Sequence, residues 1–170
     1  MRVNFYEYSE QVKPVARFGI VDPDDRGGKF PAQICYDENV KDTWGAWVSC
    51  NNRSDYSFIA VDNNIPLTRT GANGAKETAS RCDAMLYTGK TVCFIELKDE
   101  RESFLQRAIA QISATLQAFG NEIERFEYKK AYVCNKGHPQ FHSSFSQAQS
   151  EFYKKHKVVL RVRVDIEELK

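Results

Sequence analysis

The sequence predicts an α/β sandwich in which a mixed central β-sheet is flanked by helices. Three observations lead there. Strand-like runs are interleaved with two helical stretches. The runs "RCDAMLY" and "TVCFIELK" are apolar on both faces, as strands covered on both sides are. The chain has 170 residues, 42% hydrophobic and 28% charged, the common size of one domain and enough to bury a core. A single domain over 1–170 is expected, with its core at about 56–164 and residues 1–55 as an N-terminal elaboration.

In chain order, residues 16–21 read as a strand, followed by the turn-rich "VDPDDRGGKFP" with Pro23, Gly27, Gly28 and Pro31. "TWGAWVSC" supports a short strand and residues 56–62 a longer one. A polar loop, "TRTGANGAKETAS", leads to the two strands "RCDAMLY" and "TVCFIELK" around "TGKT". A helix starting at Asp99 or a neighbour runs to about Phe119 and is closed by Gly120. Its apolar residues, from Phe104 and Ala108 to Ile112, Leu116 and Phe119, recur at helical spacing and define one buried face. "KKAYVCN" is another strand, "QFHSSFSQAQSEFYKKH" a second helix, and "KVVLRVRVDI" one final strand.

Composition narrows the function classes. The N-terminus "MRVNFYEYSEQV" has no apolar signal region, and no run approaches the roughly 18 apolar residues of a membrane span, so a cytoplasmic protein with no membrane partner is expected. The five cysteines are widely spaced without a Cys-x-x-Cys pair, which argues for buried thiols over a disulfide framework or structural zinc. Cys134, His138 and His142 are too irregular for a zinc site, with no fourth ligand. Net charge is +1, but it is uneven: from Lys129 onward nine Lys or Arg stand against four Asp or Glu. That basic part could face phosphates or simply be a solvated surface.

The strongest chemical signal is the hairpin. A two-residue type II′ turn at Gly89-Lys90 would pair Thr88 with Thr91 and, counting outward, place Asp83 opposite Glu96 and Arg81 opposite Lys98. Opposed residues share a face with Cβ atoms about 4.5–5.5 Å apart, and two carboxylates so placed repel unless a positive charge intervenes. Either of two arrangements supplies it. One is a charge lattice, with Arg81 diagonal to Glu96 and Lys98 diagonal to Asp83. The other is a hard divalent cation such as Mg²⁺, with Lys98 pointing into the same site. The apolar flanks Ala84, Leu86, Cys93, Ile95 and Leu97 favour the second, because charges at the end of buried strands call for a function.

The set Asp83, then Glu96-Leu97-Lys98, resembles the signature of the PD-(D/E)XK nuclease superfamily, the restriction-endonuclease-like fold. The resemblance covers roughly 58–134 and extends to the helix "RAIAQISATL", which is similar to that of small bacterial nuclease-like proteins. The signature proline is absent, with Cys82 before Asp83. The resemblance implies a restriction-endonuclease-like sandwich in which Asp83, Glu96 and the Leu97 carbonyl bind Mg²⁺ or Mn²⁺. It implies phosphodiester hydrolysis of nucleic acid, DNA ahead of RNA, with Asp83, Glu96 and Lys98 as catalytic residues. Some members use a glutamine from the following helix, which would add Gln111.

Lesser candidates each have a bland counterpart. Glu77 could add a carboxylate or be a solvated loop residue, and Arg81 could bind phosphate or pair with Glu96. Trp44 and Trp47 could stack on bases or fill the core. Near-neutral net charge argues against tight nonspecific binding to nucleic acid, and would suit a homodimer, a partner subunit or a structured substrate. The contrasting function is a non-catalytic nucleic-acid-binding or protein-interaction module that keeps the fold. The complete Asp83/Glu96/Lys98 set favours the enzyme.

Overall fold

The computed structural model describes residues 2–23, 29–100, 103–137 and 145–170. Six strands build the main sheet: β1 (Ser9–Gln11), β5 (Ser57–Ala60), β8 (Ala84–Tyr87), β9 (Thr91–Lys98), β10 (Tyr128–Asn135) and β11 (Val159–Val162), adjacent in that order. β9, β10 and β11 run parallel, while β1, β5 and β8 are joined to them by antiparallel pairing, so the sheet is mixed. A second sheet contains β2 (Arg17–Val21), β3 (Gln33–Cys35), β4 (Ala46–Ser49) and β12 (Asp165–Ile166). The helices are α1 (Leu105–Phe119) and α2 (Phe145–His156). This is a mixed α/β fold, as the sequence predicts.

Two hydrophobic cores lie on the two faces of the main sheet. On one, Val92 and Phe94 of β9 and Met85 of β8 pack with Ala108, Ile112, Leu116 and Phe119 of α1 and Phe152 of α2. Phe119 sits edge-on to both Phe5 and Phe94, at centroid distances of 5.3 and 5.6 Å. On the other, Cys93, Ile95 and Leu97 meet Phe18 and Ile20 of β2 and Ala46 and Val48 of β4. β9 is therefore buried on both faces, which explains its nearly continuous apolar run.

Several expectations are corrected. Both helices cover one face only; the other is covered by a sheet, because the first 55 residues supply three of its strands and β1 besides. The loop before β8 contains an exposed hairpin, β6 (Thr68–Thr70) and β7 (Lys76–Thr78), turned where Gly74 takes φ +78°. The final apolar run is two strands, not one. Arg163 N–H still donates to Val133 of the main sheet, whereas the Val164 carbonyl accepts from Trp47 of the second, so the chain changes sheet between them.

α1 starts later than expected. Asn135 accepts from Glu100 N–H at 3.0 Å and donates to the Glu100 carbonyl at 2.6 Å, which holds the chain extended beyond β9. Its end is as expected, at Gly120 with φ +61°. Four of the five cysteines are buried and all are free thiols. Among the described residues no helix is long and apolar enough to cross a membrane.

Candidate functional site

The β8–β9 register matches the expectation: Tyr87 faces Val92, Leu86 faces Cys93 and Ala84 faces Ile95. The turn type differs. Gly89 lacks the positive φ of a II′ turn, and the Thr88 hydroxyl instead accepts from the Lys90 and Thr91 N–H groups.

The ladder stops at Ala84. Asp83 N–H donates back to the Ile95 carbonyl at 3.1 Å and its carbonyl accepts from Val61 at 2.9 Å. Its carboxylate then reaches across to β9, where Oδ2 accepts from Leu97 N–H at 2.7 Å. Glu96, only 1% exposed, follows Val92 and Phe94 on the helix-covered face of β9. Its Oε1 lies 2.9 Å from Lys98 Nζ, while Oε2 is buried with no donor among the described residues. Lys98 Nζ also donates to Gln111 Oε1 at 2.8 Å, and Gln111 Nε2 donates to the Arg81 carbonyl at 3.4 Å. The four residues Asp83, Glu96, Lys98 and Gln111 thus converge at the end of β9, under α1.

Electrostatics follow from this burial. Burial pushes the Asp83 carboxyl up to about 7; the Leu97 N–H and Lys98 pull it down, and Asp22 and Asp62 push it up. Glu96 is pushed up to about 9, first by burial and then by Asp83, against the pull of Lys98. The charge of Asp83 is thus the second cause, after burial, that disfavours an ionised Glu96. Two carboxyls beside one ammonium are neutral when one carboxyl holds a proton, and the burial of Glu96 favours that state.

Other candidates stand elsewhere. Arg81 neither opposes Lys98 nor pairs with Glu96, because the ladder ends before it; its guanidinium bonds Asp62 at 2.8 Å and the Ile65 carbonyl at 3.1 Å. Lys98 likewise pairs with Glu96 on its own strand rather than diagonally with Asp83. Glu77 is on the exposed hairpin facing Arg69. Trp44 is core, edge-on to Trp47 at 6.1 Å. Cys134 is buried, and His138 and His142 fall outside the described residues. Sequence reasoning missed Asp62 and Asn135; "NKG" after a strand was the one hint of a structural asparagine.

The donor set suits a hard divalent cation. It offers carboxylate oxygens from Asp83 and Glu96, one of them without a donor, and the Leu97 carbonyl, which in an extended strand projects to the same edge as the Leu97 N–H that meets Asp83. Among the described residues no three His, Cys, Asp or Glu side chains are grouped to hold a metal ion, so remaining positions would fall to water and substrate oxygens. A narrow cleft of about 50 Å³, lined by Asp22, Thr43, Gly45, Leu97, Lys98, Asp99 and Lys136, opens beside this end of β9. The larger groove of about 780 Å³ along α1 and His156 contains none of these four residues. No protein-family model, curated protein or solved structure matches the chain.

Proposed function

We propose that the protein is a metal-dependent nuclease of the PD-(D/E)XK type, built on a restriction-endonuclease-like variant of the α/β sandwich and acting in the cytoplasm. The observation that carries this reading is the buried Glu96 near the half-buried Asp83, with a Glu96 oxygen that has no donor among the described residues and Lys98 beside it. Asp83, Glu96 and the Leu97 carbonyl would hold Mg²⁺ or Mn²⁺, whose charge offsets the negative charge that develops on phosphorus during hydrolysis. Lys98 has an ammonium hydrogen to spare beyond its contacts with Glu96 and Gln111, and it orients the attacking water or a phosphate oxygen with it. Gln111 keeps the Lys98 side chain turned into the site. The substrate is nucleic acid, DNA ahead of RNA.

Calorimetric titration of Mn²⁺ and Mg²⁺ into the wild-type chain, Asp83→Ala and Glu96→Ala tests the site. Cleavage of single- and double-stranded DNA and RNA tests the reaction. Binding abolished by both alanines, together with metal-dependent cleavage, is the expected result. If the wild-type chain binds no metal, the nuclease reading fails and the non-catalytic module replaces it.

A further inference from the structure

Asp83 lies beyond the last ladder pair, with its N–H on the Ile95 carbonyl and its own carbonyl on Val61 N–H, and the chain just before it leaves β9. In the β8–β9 register Thr88 N–H donates to the Thr91 carbonyl. Mutually bonded pairs then recur every second residue, and the next after Ala84 and Ile95 would be Cys82 and Leu97. In a continued ladder, Cys82 N–H would donate to the Leu97 carbonyl and Leu97 N–H to the Cys82 carbonyl.

Neither donor goes there. Leu97 N–H goes to the Asp83 carboxylate at 2.7 Å. Cys82 N–H turns away from β9 and donates to Thr115 Oγ1 of α1 at 2.8 Å, with both residues fully buried. The Thr115 hydroxyl spends its own hydrogen on the Gln111 carbonyl at 3.1 Å, so its lone pairs are left to accept. Thr115 follows Gln111 by one helical turn on the same side of α1. Gln111 bonds the Arg81 carbonyl and Thr115 the Cys82 N–H, the two polar ends of one peptide group.

We propose that Thr115 is the positioning residue of this site: by drawing the Cys82 N–H onto α1, it frees the Leu97 carbonyl for a ligand and leaves the Leu97 N–H to the Asp83 carboxylate. The hydroxyl touches no reacting group and acts through the Arg81–Cys82 peptide. Its role as an aid to cation binding rests on the proposed nuclease reading; its effect on Asp83 does not.

The test compares Thr115→Val, nearly isosteric but without an acceptor, with Thr115→Ser, which keeps the oxygen. Thr115→Ala serves in place of valine if valine does not fold. Amide hydrogen exchange is followed by NMR on the full-length chain without metal, taking Leu97 relative to Ile95. Ile95 is paired to Ala84 in the intact ladder and corrects for overall stability. Mn²⁺ affinity is measured in parallel by calorimetry. Valine is expected to lower the relative protection of Leu97 and the Mn²⁺ affinity about tenfold each, with serine within about threefold of wild type on both. Unchanged Leu97 protection in the valine variant overturns the proposal whatever the metal does. Loss of protection with Mn²⁺ affinity intact confines Thr115 to holding the main chain and overturns its role in the site. A wild-type chain that binds no Mn²⁺ removes the nuclease reading, while the Leu97 ratio still decides whether Thr115 positions Asp83.

Discussion

Replacing Glu96 by glutamine in the metal-free protein should stabilise it, increasingly so as pH rises. Glu96 ordinarily titrates near 4.5 and is pushed up to about 9 in the folded chain. Between those values the folded state holds a proton that the unfolded state has released. Stability is then fully present below the lower value and declines as pH rises through the interval, by about 1.4 kcal/mol per pH unit for one proton. At pH 8 the accumulated penalty reaches about 5 kcal/mol as an upper bound, a large share of the roughly 5–15 kcal/mol that holds a domain folded. Glutamine keeps the shape and needs no proton. Urea unfolding in chelator at pH 5, 6, 7 and 8 gives the stability difference between Glu96→Gln and wild type at each pH. The difference should climb by about 1.4 kcal/mol per unit in favour of glutamine. The opposite reasoning gives Glu96 as an ordinary carboxylate held by Lys98 at 2.9 Å, in which case glutamine would destabilise by a pH-independent amount. A flat difference therefore refutes the argument that folded Glu96 holds a proton in this range.

Two further outcomes follow from other parts of the molecule. A Cβ at Gly19 would lie 2.1 Å from Cδ2 of the buried Trp44 ring, so Gly19→Ala should lose about 1–3 kcal/mol, read as a lower melting temperature; an unchanged one would mean the ring moves freely. Lys154, Lys155, Lys157, Arg161 and Arg163 are all exposed along the end of α2 and the edge strand β11. The double variant Arg161→Glu/Arg163→Glu should weaken oligonucleotide binding and flatten its salt dependence, measured by fluorescence anisotropy at two salt concentrations, whereas identical affinity and slope would rule this face out as the contact.

What could be read from the sequence divides along the range of the interactions. The β8–β9 hairpin was legible because its register depends on neighbours a few residues apart. The pairing of Asp83 with Glu96 was not, because the ladder ends at Ala84 and the Asp83 carboxylate meets Leu97 N–H instead. α1 was legible at its C-terminal end, where Gly120 supplies a local signal, but not at its start, which depends on Asn135 reaching Glu100 from another strand. The second sheet was hidden because its strands are only two to five residues long and gain their partners from both ends of the chain. Arg81 was misplaced for the reason that makes Asp83 informative: the ladder yields at Ala84 to bonds with α1 and with Asp62.

The case for function at this site rests finally on what the fold does not need. On the helix-covered face of β9, Val92 and Phe94 are apolar and fully buried, and an apolar residue at position 96 would continue the series beneath α1. Instead Glu96 sits there with one oxygen that has no partner among the described residues, and the Asp83 carboxyl whose charge raises it is also pushed upward. Gln111 and Thr115 add polar groups to the same face of α1 and use them on Lys98, Arg81 and Cys82 rather than on packing. Raised carboxyls lower the stability of the free protein, yet groups from two strands and a helix hold them in place; under the proposed nuclease reading, a cation between the carboxylates would offset their mutual repulsion.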